Sequence, residues 1–226
     1  MALPASKPIS VYVFDAYGTL FDVHAAVRKN AAGLGPDAQR LSELWRQKQL
    51  EYSWIRTMMD RYLDFWTLTE QALDTAFAMV PTADRSLRNT LLDAYSQLDC
   101  YPEVPQVLKT LKDNGARLAI LSNGNPDMLD GAVRAAGLDM VFDAVLSVDT
   151  LRIYKTRMEV YEMATNQFRV YPEAISFQSS NRWDVAGATA FGFRTVWINR
   201  TGNPDEYTDL APAAVLSDLN GLTTLA

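Results

Sequence analysis

The chain has 226 residues, 48% hydrophobic and 21% charged; these are the proportions of a globular protein with one large domain or a core plus an insertion, and they exclude a disordered chain. A net charge of −6 argues against a nucleic-acid or anionic-membrane surface, so an anionic substrate would need local Arg and Lys to draw it in. The single cysteine, Cys100, excludes an intrachain disulfide, and with the single histidine, His24, it leaves no ligand set for zinc.

The opening Met1-Ala-Leu-Pro-Ala-Ser-Lys-Pro has no charged region followed by an apolar one, so it does not read as a signal peptide. No apolar run approaches membrane-spanning length, and a soluble, cytoplasmic protein is expected. Ile9 to Phe14 is almost wholly apolar and rich in strand formers, which predicts a central strand buried on both faces. The apolar run stops on Asp15, and Gly18 lets the chain turn sharply. A carboxylate at the end of such a strand is a nucleophile, a metal ligand or a helix cap, and the stretch alone does not choose among them.

Asp22 is placed to cap a helix that begins near Val23 and fades by Gly35 and Pro36. From Asp37 to about Leu98 the pattern is helical throughout, with no strand. Leu41, Leu44, Trp45, Lys48, Tyr52, Ile55 and Met59 recur at spacings of three and four. Shorter helices are expected at Thr69 to Met79 and Asp84 to Gln97. This region reads as a helical insertion and a candidate lid. Seven aromatics lie between Arg40 and Val80, and most are expected to pack within the insertion.

Beyond the junction Asp99-Cys-Tyr-Pro-Glu-Val-Pro105 the rhythm changes. Helices are predicted at Val104–Asn114, Pro126–Ala136, Thr156–Asn166 and Asp184–Phe191. They alternate with strands at Arg117–Ser122, Ala144–Val148, Ala174–Ser179 and Arg194–Ile198. Such alternation implies an α/β fold: a doubly wound parallel sheet, a Rossmann-like core carrying an inserted all-helical cap. The expected division is 1–22 and 100–226 for the core and 23–99 for the cap.

Parallel strands bring their C-terminal ends to one rim. That rim would carry Asp15, then Ser122-Asn-Gly124, then the Lys155 region, then Ser179-Ser-Asn-Arg-Trp-Asp184. Singly, these are a turn residue, a common turn, a surface charge and a helix cap. Chance would scatter them over both ends of the sheet, so their joint placement is the stronger signal.

Phe14-Asp-Ala-Tyr-Gly-Thr-Leu-Phe-Asp, Leu121-Ser-Asn-Gly, Tyr154-Lys and Ser179-Ser-Asn-x-Trp-Asp resemble, in order, the four motifs of the haloacid dehalogenase superfamily. More closely they resemble those of its L-2-haloacid dehalogenases. Leu44-Trp-Arg-Gln-Lys-Gln-Leu-Glu-Tyr52 and Thr195-Val-Trp-Ile-Asn-Arg-Thr-Gly202 are similar too. The resemblance implies that Asp15 attacks the α-carbon of a 2-haloacid in line, expelling halide with inversion, and that water then hydrolyses the aspartyl ester. It implies that Lys155 orients Asp15 and keeps it ionised, that Thr19, Ser179 and Asn181 hold the carboxylates, and that Asp184 helps to activate the water. Tyr161 would add a hydrogen bond. Ala16, Tyr17 and Ser122 fall in the substrate-binding set, with Tyr17 and Ser122 on its carboxylate. Arg46 and Asn123, with Trp183, would receive the halide. No cofactor or metal is implied, and a homodimer is.

Arg46 read alone is a surface residue on an amphipathic helix, but it shares a stripe with Leu50 at i+4 that can face the rim. The superfamily's phosphatases are the main competing reading. They carry a second Asp two residues after the nucleophile, where this chain has Tyr17, and an acidic metal ligand where it has Ser180. Two carboxylates suited to magnesium are therefore missing. A third reading is an inactive relative that serves as a binding module. Two positions depart from the pattern: Thr156 stands in place of a proline and Gln178 in place of a small apolar residue. His24 reads as an exposed helix-start residue, and the Arg200-Thr-Gly202 turn as structural.

Overall fold

The computed structural model describes residues 9–225, so the opening octapeptide discussed above lies outside the described residues. At its centre is β1 (Val11–Phe14), the strand expected from the first apolar run. It is flanked by β2 (Arg117–Ser122) and β4 (Ile175–Ser179) in a six-stranded parallel sheet of order β3-β2-β1-β4-β5-β6. The remaining strands are β3 (Ala144–Ser147), β5 (Arg194–Ile198) and β6 (Ala214–Leu216). Phe14 pairs with Ile120 on one side and Gln178 on the other. That register sets Asp15 level with the ends of both neighbours, and the Asp15 N–H bonds the Gln178 carbonyl at 2.9 Å. The sheet thus gathers Asp15, Ser122 and Ser179 on one rim, as expected of parallel strands.

Edge strand β6 has no counterpart in the sequence reading. It is three residues long and half exposed at Val215, too short for a legible alternation. It is recruited by pairing with β5, Val196 opposite Ala214.

Helix α6 (Val104–Asp113), α7 (Pro126–Ala135), α8 (Met158–Phe168) and α9 (Arg182–Phe191) flank the sheet. Two of them begin elsewhere than periodicity suggests. Helix α8 starts two residues later than expected because the preceding backbone holds the Lys155 loop. The Lys155 N–H bonds Asn123 Oδ1 at 3.0 Å, and the Tyr154 N–H bonds Thr57 Oγ1 at 3.1 Å. Helix α9 starts two residues earlier, with Asn181 in the cap position. Asp184 therefore lies in the first turn and is not the helix cap.

Between β1 and α6 lie the helices α1 (Ala25–Lys29), α2 (Ala31–Leu34), α3 (Ala38–Met58), α4 (Phe65–Met79) and α5 (Arg88–Ser96), with no strand among the described residues there. The single helix expected after Asp22 is two short ones, broken at Asn30, whose amide bonds the Ala26 carbonyl. Asp22 accepts from the His24 N–H and from Arg28 one step ahead of the helix. Helix α4 begins at Phe65 because Asp64 caps it, accepting from the Thr67 N–H at 3.0 Å and hydroxyl at 2.6 Å.

The apolar stripe of α3 is correct only in its first half. Leu41 and Trp45 are buried, but Ile55 and Met59 are exposed, and the buried line continues through Gln49 and Ser53. A polar glutamine is tolerated there because Thr69 and Tyr95 bond its side chain.

The two departures from the family pattern adjoin the catalytic cluster without bonding its carboxylates through their side chains. Gln178 is fully buried, bonded through Nε2 to Ser176 Oγ, while its Oε1 has no partner among the described residues. Thr156 is exposed. Arg200 bonds Glu103 at 2.7 Å and the Thr19 carbonyl at 2.9 Å, in the structural role expected for its turn.

Arg182 was invisible in the sequence. It is almost fully buried and holds the segment after β5 through Asp205 at 2.5 Å and the carbonyls of Tyr207 and Leu210 at 3.0 and 3.1 Å. Arg182→Ala removes these charge-assisted bonds and should cost about 2 kcal/mol. Thermal denaturation should register this as a melting temperature lower by roughly 4–8 °C.

Candidate active site

Asp15, 6% exposed, sits just past the end of β1. Its Oδ2 accepts from Thr19 Oγ1 at 3.0 Å, Ser179 Oγ at 3.2 Å and Asn181 Nδ2 at 2.8 Å. Its Oδ1 accepts from Lys155 Nζ at 3.1 Å. One oxygen is thus saturated by three neutral donors, and the other is left to a cation and to whatever enters the site.

Lys155, 1% exposed, also donates to Asp184 Oδ2 at 2.8 Å and lies 5.2 Å from the centre of the Phe177 ring. Tyr161 donates to Asp184 Oδ1 at 2.9 Å. Gly187, one turn along α9, is what allows that approach: a Cβ there would come within 2.5 Å of the Tyr161 hydroxyl.

One buried ammonium therefore serves two buried carboxylates. Burial alone would lower the Lys155 pKa, but the charges of Asp15 and Asp184 outweigh it and hold the ammonium above its ordinary range. Burial raises Asp184, Lys155 opposes and Asp15 adds to it, leaving Asp184 pushed up to about 6. Burial also raises the Tyr161 phenol well above its usual value, with the neighbouring Asp184 charge adding to it, so that hydroxyl stays a proton donor.

Facing Asp15 is a small chamber lined by Asp15, Tyr17, Arg46, Ser122, Asn123, Asn181 and Trp183, with Leu50 and Phe65 as apolar wall. Its volume of about 10 Å³ leaves room for one water-sized sphere. The helical insertion supplies Arg46, Leu50 and Phe65, as the Arg46–Leu50 stripe requires. Arg46 points inward, donating to the Tyr17 carbonyl at 3.1 Å and to Gln49 Oε1 at 2.7 Å.

The remaining expected residues divide by role. Ser122 Oγ accepts the Gly124 N–H at 3.0 Å and so shapes its own turn. Gly124 is obligatory beside Tyr17, whose ring carbon would lie 2.7 Å from any Cβ there. Tyr17 is buried and stacked on Tyr95 at 5.8 Å. Asn123 lines the chamber while its Oδ1 holds the Lys155 backbone. Ala16 is fully buried and is not part of the lining; its carbonyl accepts from Leu20 and Phe21. Among the described residues no acceptor takes the N–H of Ala16 or Tyr17, so two backbone donors beside Asp15 remain for a ligand.

Sequence reasoning missed three contributors. Gln49 and Tyr95 anchor Arg46 from behind, and the one available signal was a polar residue on a buried helix face. The segment between α3 and α4 grips the lysine loop: Tyr62 donates to Asp149 at 2.6 Å, and the Tyr154 hydroxyl donates to the Leu63 carbonyl. Nothing in the local pattern marks those pairs. His24 is exposed as expected, with Nδ1 2.8 Å from Ser42 Oγ, and takes no part.

Fold and site together define a doubly wound α/β protein with a lysine-bridged pair of carboxylates on the sheet rim, covered by helices that bring in an arginine. The model of the haloacid dehalogenase-like hydrolases matches residues 9–192. The chain is 50% identical over 219 residues to (S)-2-haloacid dehalogenase 1 of Pseudomonas sp. strain CBS-3, covering 96% of each. Its backbone is similar to that of a dehalogenase solved with an intermediate complex (TM-score 0.95, 47% identity, 97% of each chain covered). It is also similar to that of the L-2-haloacid dehalogenase from Xanthobacter autotrophicus solved with chloropropionic acid covalently bound (TM-score 0.84, 36% identity, 96% and 98% covered). The chain belongs to the haloacid dehalogenase-like hydrolases.

Proposed function

We propose that this chain is a hydrolytic dehalogenase of short (S)-2-haloalkanoic acids that works through an aspartyl ester. The observation that carries the reading is the contrast between the two Asp15 oxygens: Oδ2 is held by three donors, while among the described residues Oδ1 accepts from Lys155 alone, and Asp15 lines a chamber that Arg46 also lines.

In this reading Asp15 Oδ1 attacks the α-carbon, and the carbon–halogen electron pair leaves as halide toward Arg46, Asn123 and Trp183. The substrate carboxylate is held by Ser122 and by the free backbone N–H groups at Ala16 and Tyr17. Arg46 supplies the positive charge that a departing anion needs in a largely buried site. Asp184 then takes a proton from water, which attacks the Asp15 carboxyl carbon. The acyl–oxygen bond breaks, the departing oxygen takes back the proton held by Asp184 to release the inverted 2-hydroxyacid, and Asp15 keeps the water oxygen and loses the second water proton to return to its carboxylate. The covalent complex with chloropropionic acid in the Xanthobacter relative supports this route.

The donor set argues against a magnesium phosphatase. The Tyr17 carbonyl, which in the phosphatase pattern would face the metal, accepts instead from the Arg46 guanidinium, and Asn181 Nδ2 lies 3.4 Å from the same oxygen. Ser180, at the acidic-ligand position, donates to the Gly18 carbonyl at 2.7 Å. A cation there would meet fixed positive charge and N–H donors. The test is a parallel assay: halide release from (S)-2-chloropropionate, unchanged by EDTA and yielding (R)-lactate, against magnesium-dependent cleavage of p-nitrophenyl phosphate. Cleavage of the phosphate ester alone would refute the proposal.

Residues 23–99 act in this reading as a cap over a core formed by 1–22 and 100–226, because the insertion contributes Arg46 and grips the lysine loop at Tyr62 and Leu63. The exposed pair Ile55, near the end of α3, and Met59, just past it, supports a homodimer joined through the cap. Sedimentation equilibrium at twice the monomer mass is the expected result. No helix among the described residues is long and apolar enough to cross a membrane.

A further inference from the structure

The site contains two cations, and the protein holds them in opposite ways. Lys155 Nζ lies 3.1 Å from Asp15 Oδ1 and 2.8 Å from Asp184 Oδ2, so carboxylates neutralise its charge. Arg46 makes no ion pair among the described residues. Its terminal nitrogens donate instead to neutral oxygens, Nη1 to Gln49 Oε1 at 2.7 Å and Nη2 to the Tyr17 carbonyl at 3.1 Å.

Gln49 is 1% exposed and follows Arg46 by three residues, on the same side of α3. Its amide can face only one way. The Thr69 hydroxyl donates to the Phe65 carbonyl at 2.7 Å, so toward Gln49 it can only accept, and Nε2 donates to it at 2.6 Å. Oε1 is thereby turned to the guanidinium. Thr69 is fixed by the Trp45 indole, whose N–H bonds its carbonyl at 2.9 Å. Tyr95 closes the other side, its hydroxyl 3.2 Å from Nε2 and its ring stacked on Tyr17.

A carboxylate in place of this amide would hold the guanidinium as firmly, but a departing halide would then meet a charge already neutralised. An apolar side chain would leave the charge free and its direction unfixed. We infer that Gln49 is the positioning residue for halide departure: it aims the Arg46 guanidinium without neutralising it, and so sets how well the enzyme expels a poor leaving group. The inference rests on the dehalogenase reading, in which the carbon–halogen electron pair leaves toward Arg46. Gln49 does not line the chamber and acts only through Arg46.

Two variants separate charge from aim. Gln49→Glu keeps an oxygen for Arg46 but places on it a carboxylate that the guanidinium holds ionised. Gln49→Met keeps the volume and removes the anchor. Chloride leaves carbon less readily than bromide and depends more on the cation. Single-turnover halide release in Gln49→Glu should fall about a hundredfold from (S)-2-chloropropionate and about tenfold from (S)-2-bromopropionate, raising the bromide-to-chloride ratio about tenfold. Gln49→Met should raise the same ratio by about threefold. Inhibition by added bromide should weaken about tenfold in Gln49→Glu. Ester hydrolysis, followed on the Asp15 peptide by quenched-flow mass spectrometry, should stay within about twofold of the wild type in both variants, because that step uses Asp184. A general loosening of the site would slow it too. Equal losses on both halides, or an unchanged ratio with slowed ester hydrolysis, would overturn the inference, as would wild-type rates in Gln49→Glu. Gln49→Met decides by itself if the glutamate variant does not fold. Wild-type enzyme inert toward both substrates would instead bring down the dehalogenase reading, and this inference with it.

Discussion

Asp15→Asn should abolish halide release, with kcat lowered by at least about 10⁴-fold, while the protein remains folded. The amide oxygen can replace Oδ2 and keep the bonds from Thr19, Ser179 and Asn181. The amide nitrogen then falls where Oδ1 was, facing Lys155 Nζ, and it has no charge with which to attack carbon. Lys155 keeps its bond to Asp184, so the buried ammonium is not left without a counter-ion. Mass spectrometry offers a sharper readout on the wild type. A single turnover in ¹⁸O-water should put the label into the Asp15 peptide and none into the hydroxyacid, because the ester is cleaved at the carboxyl carbon. Label in the product at first turnover, or halide release by Asp15→Asn, would replace the covalent route with direct attack by water.

The parts of this site that could be read in the sequence are those fixed by backbone topology. Asp15, Ser122 and Ser179 each stand where an apolar run stops, and parallel pairing of β1, β2 and β4 must bring such ends together. Asn181 and Asp184 follow Ser179 in the same stretch, while Lys155, beyond β3, is carried by its place on the rim and by the family resemblance. What escaped the sequence depends on partners far apart in the chain. Arg182 is one unremarkable charge until the segment after β5 folds back and gives it Asp205 and two carbonyls. Gln49 breaks the apolar stripe of α3 and therefore counted against burial, yet it is buried because Thr69 and Tyr95 satisfy it. The late start of α8 has the same origin, since local propensity at Thr156 is outweighed by tertiary bonds to the Lys155 and Tyr154 backbone. Periodicity detects faces, and it is blind to polar groups that are buried in pairs.

Asp184→Asn should separate the two halves of the reaction. Attack by Asp15 does not need a base, so each chain should release one halide and then stall as the ester, with steady-state turnover lower by about 10³-fold. In the wild type the same carboxylate sets the pH dependence. Only its ionised form can take a proton from water, and its pKa lies at about 6. Turnover should therefore fall in acid as Asp184 protonates, with its midpoint below the free-enzyme value of about 6 because the esterified Asp15 no longer carries the charge that helps to raise it, while the single-turnover burst of halide persists further into acid. The effect on stability has the opposite sign. Folding raises this pKa from 3.8 to about 6, so the folded state favours the protonated form. That contribution is complete below pH 3.8 and is lost as pH rises through about 6. At roughly 1.4 kcal/mol per unit the loss is about 3 kcal/mol. Urea denaturation of the wild type should reveal that decline between about pH 4 and 7, and Asp184→Asn should lack it. The enzyme thus works where its buried carboxylate is least comfortable: burial, with the Asp15 charge of the free enzyme adding to it, raises Asp184 against the opposing pull of Lys155, and that raised basicity is what suits it to activate water.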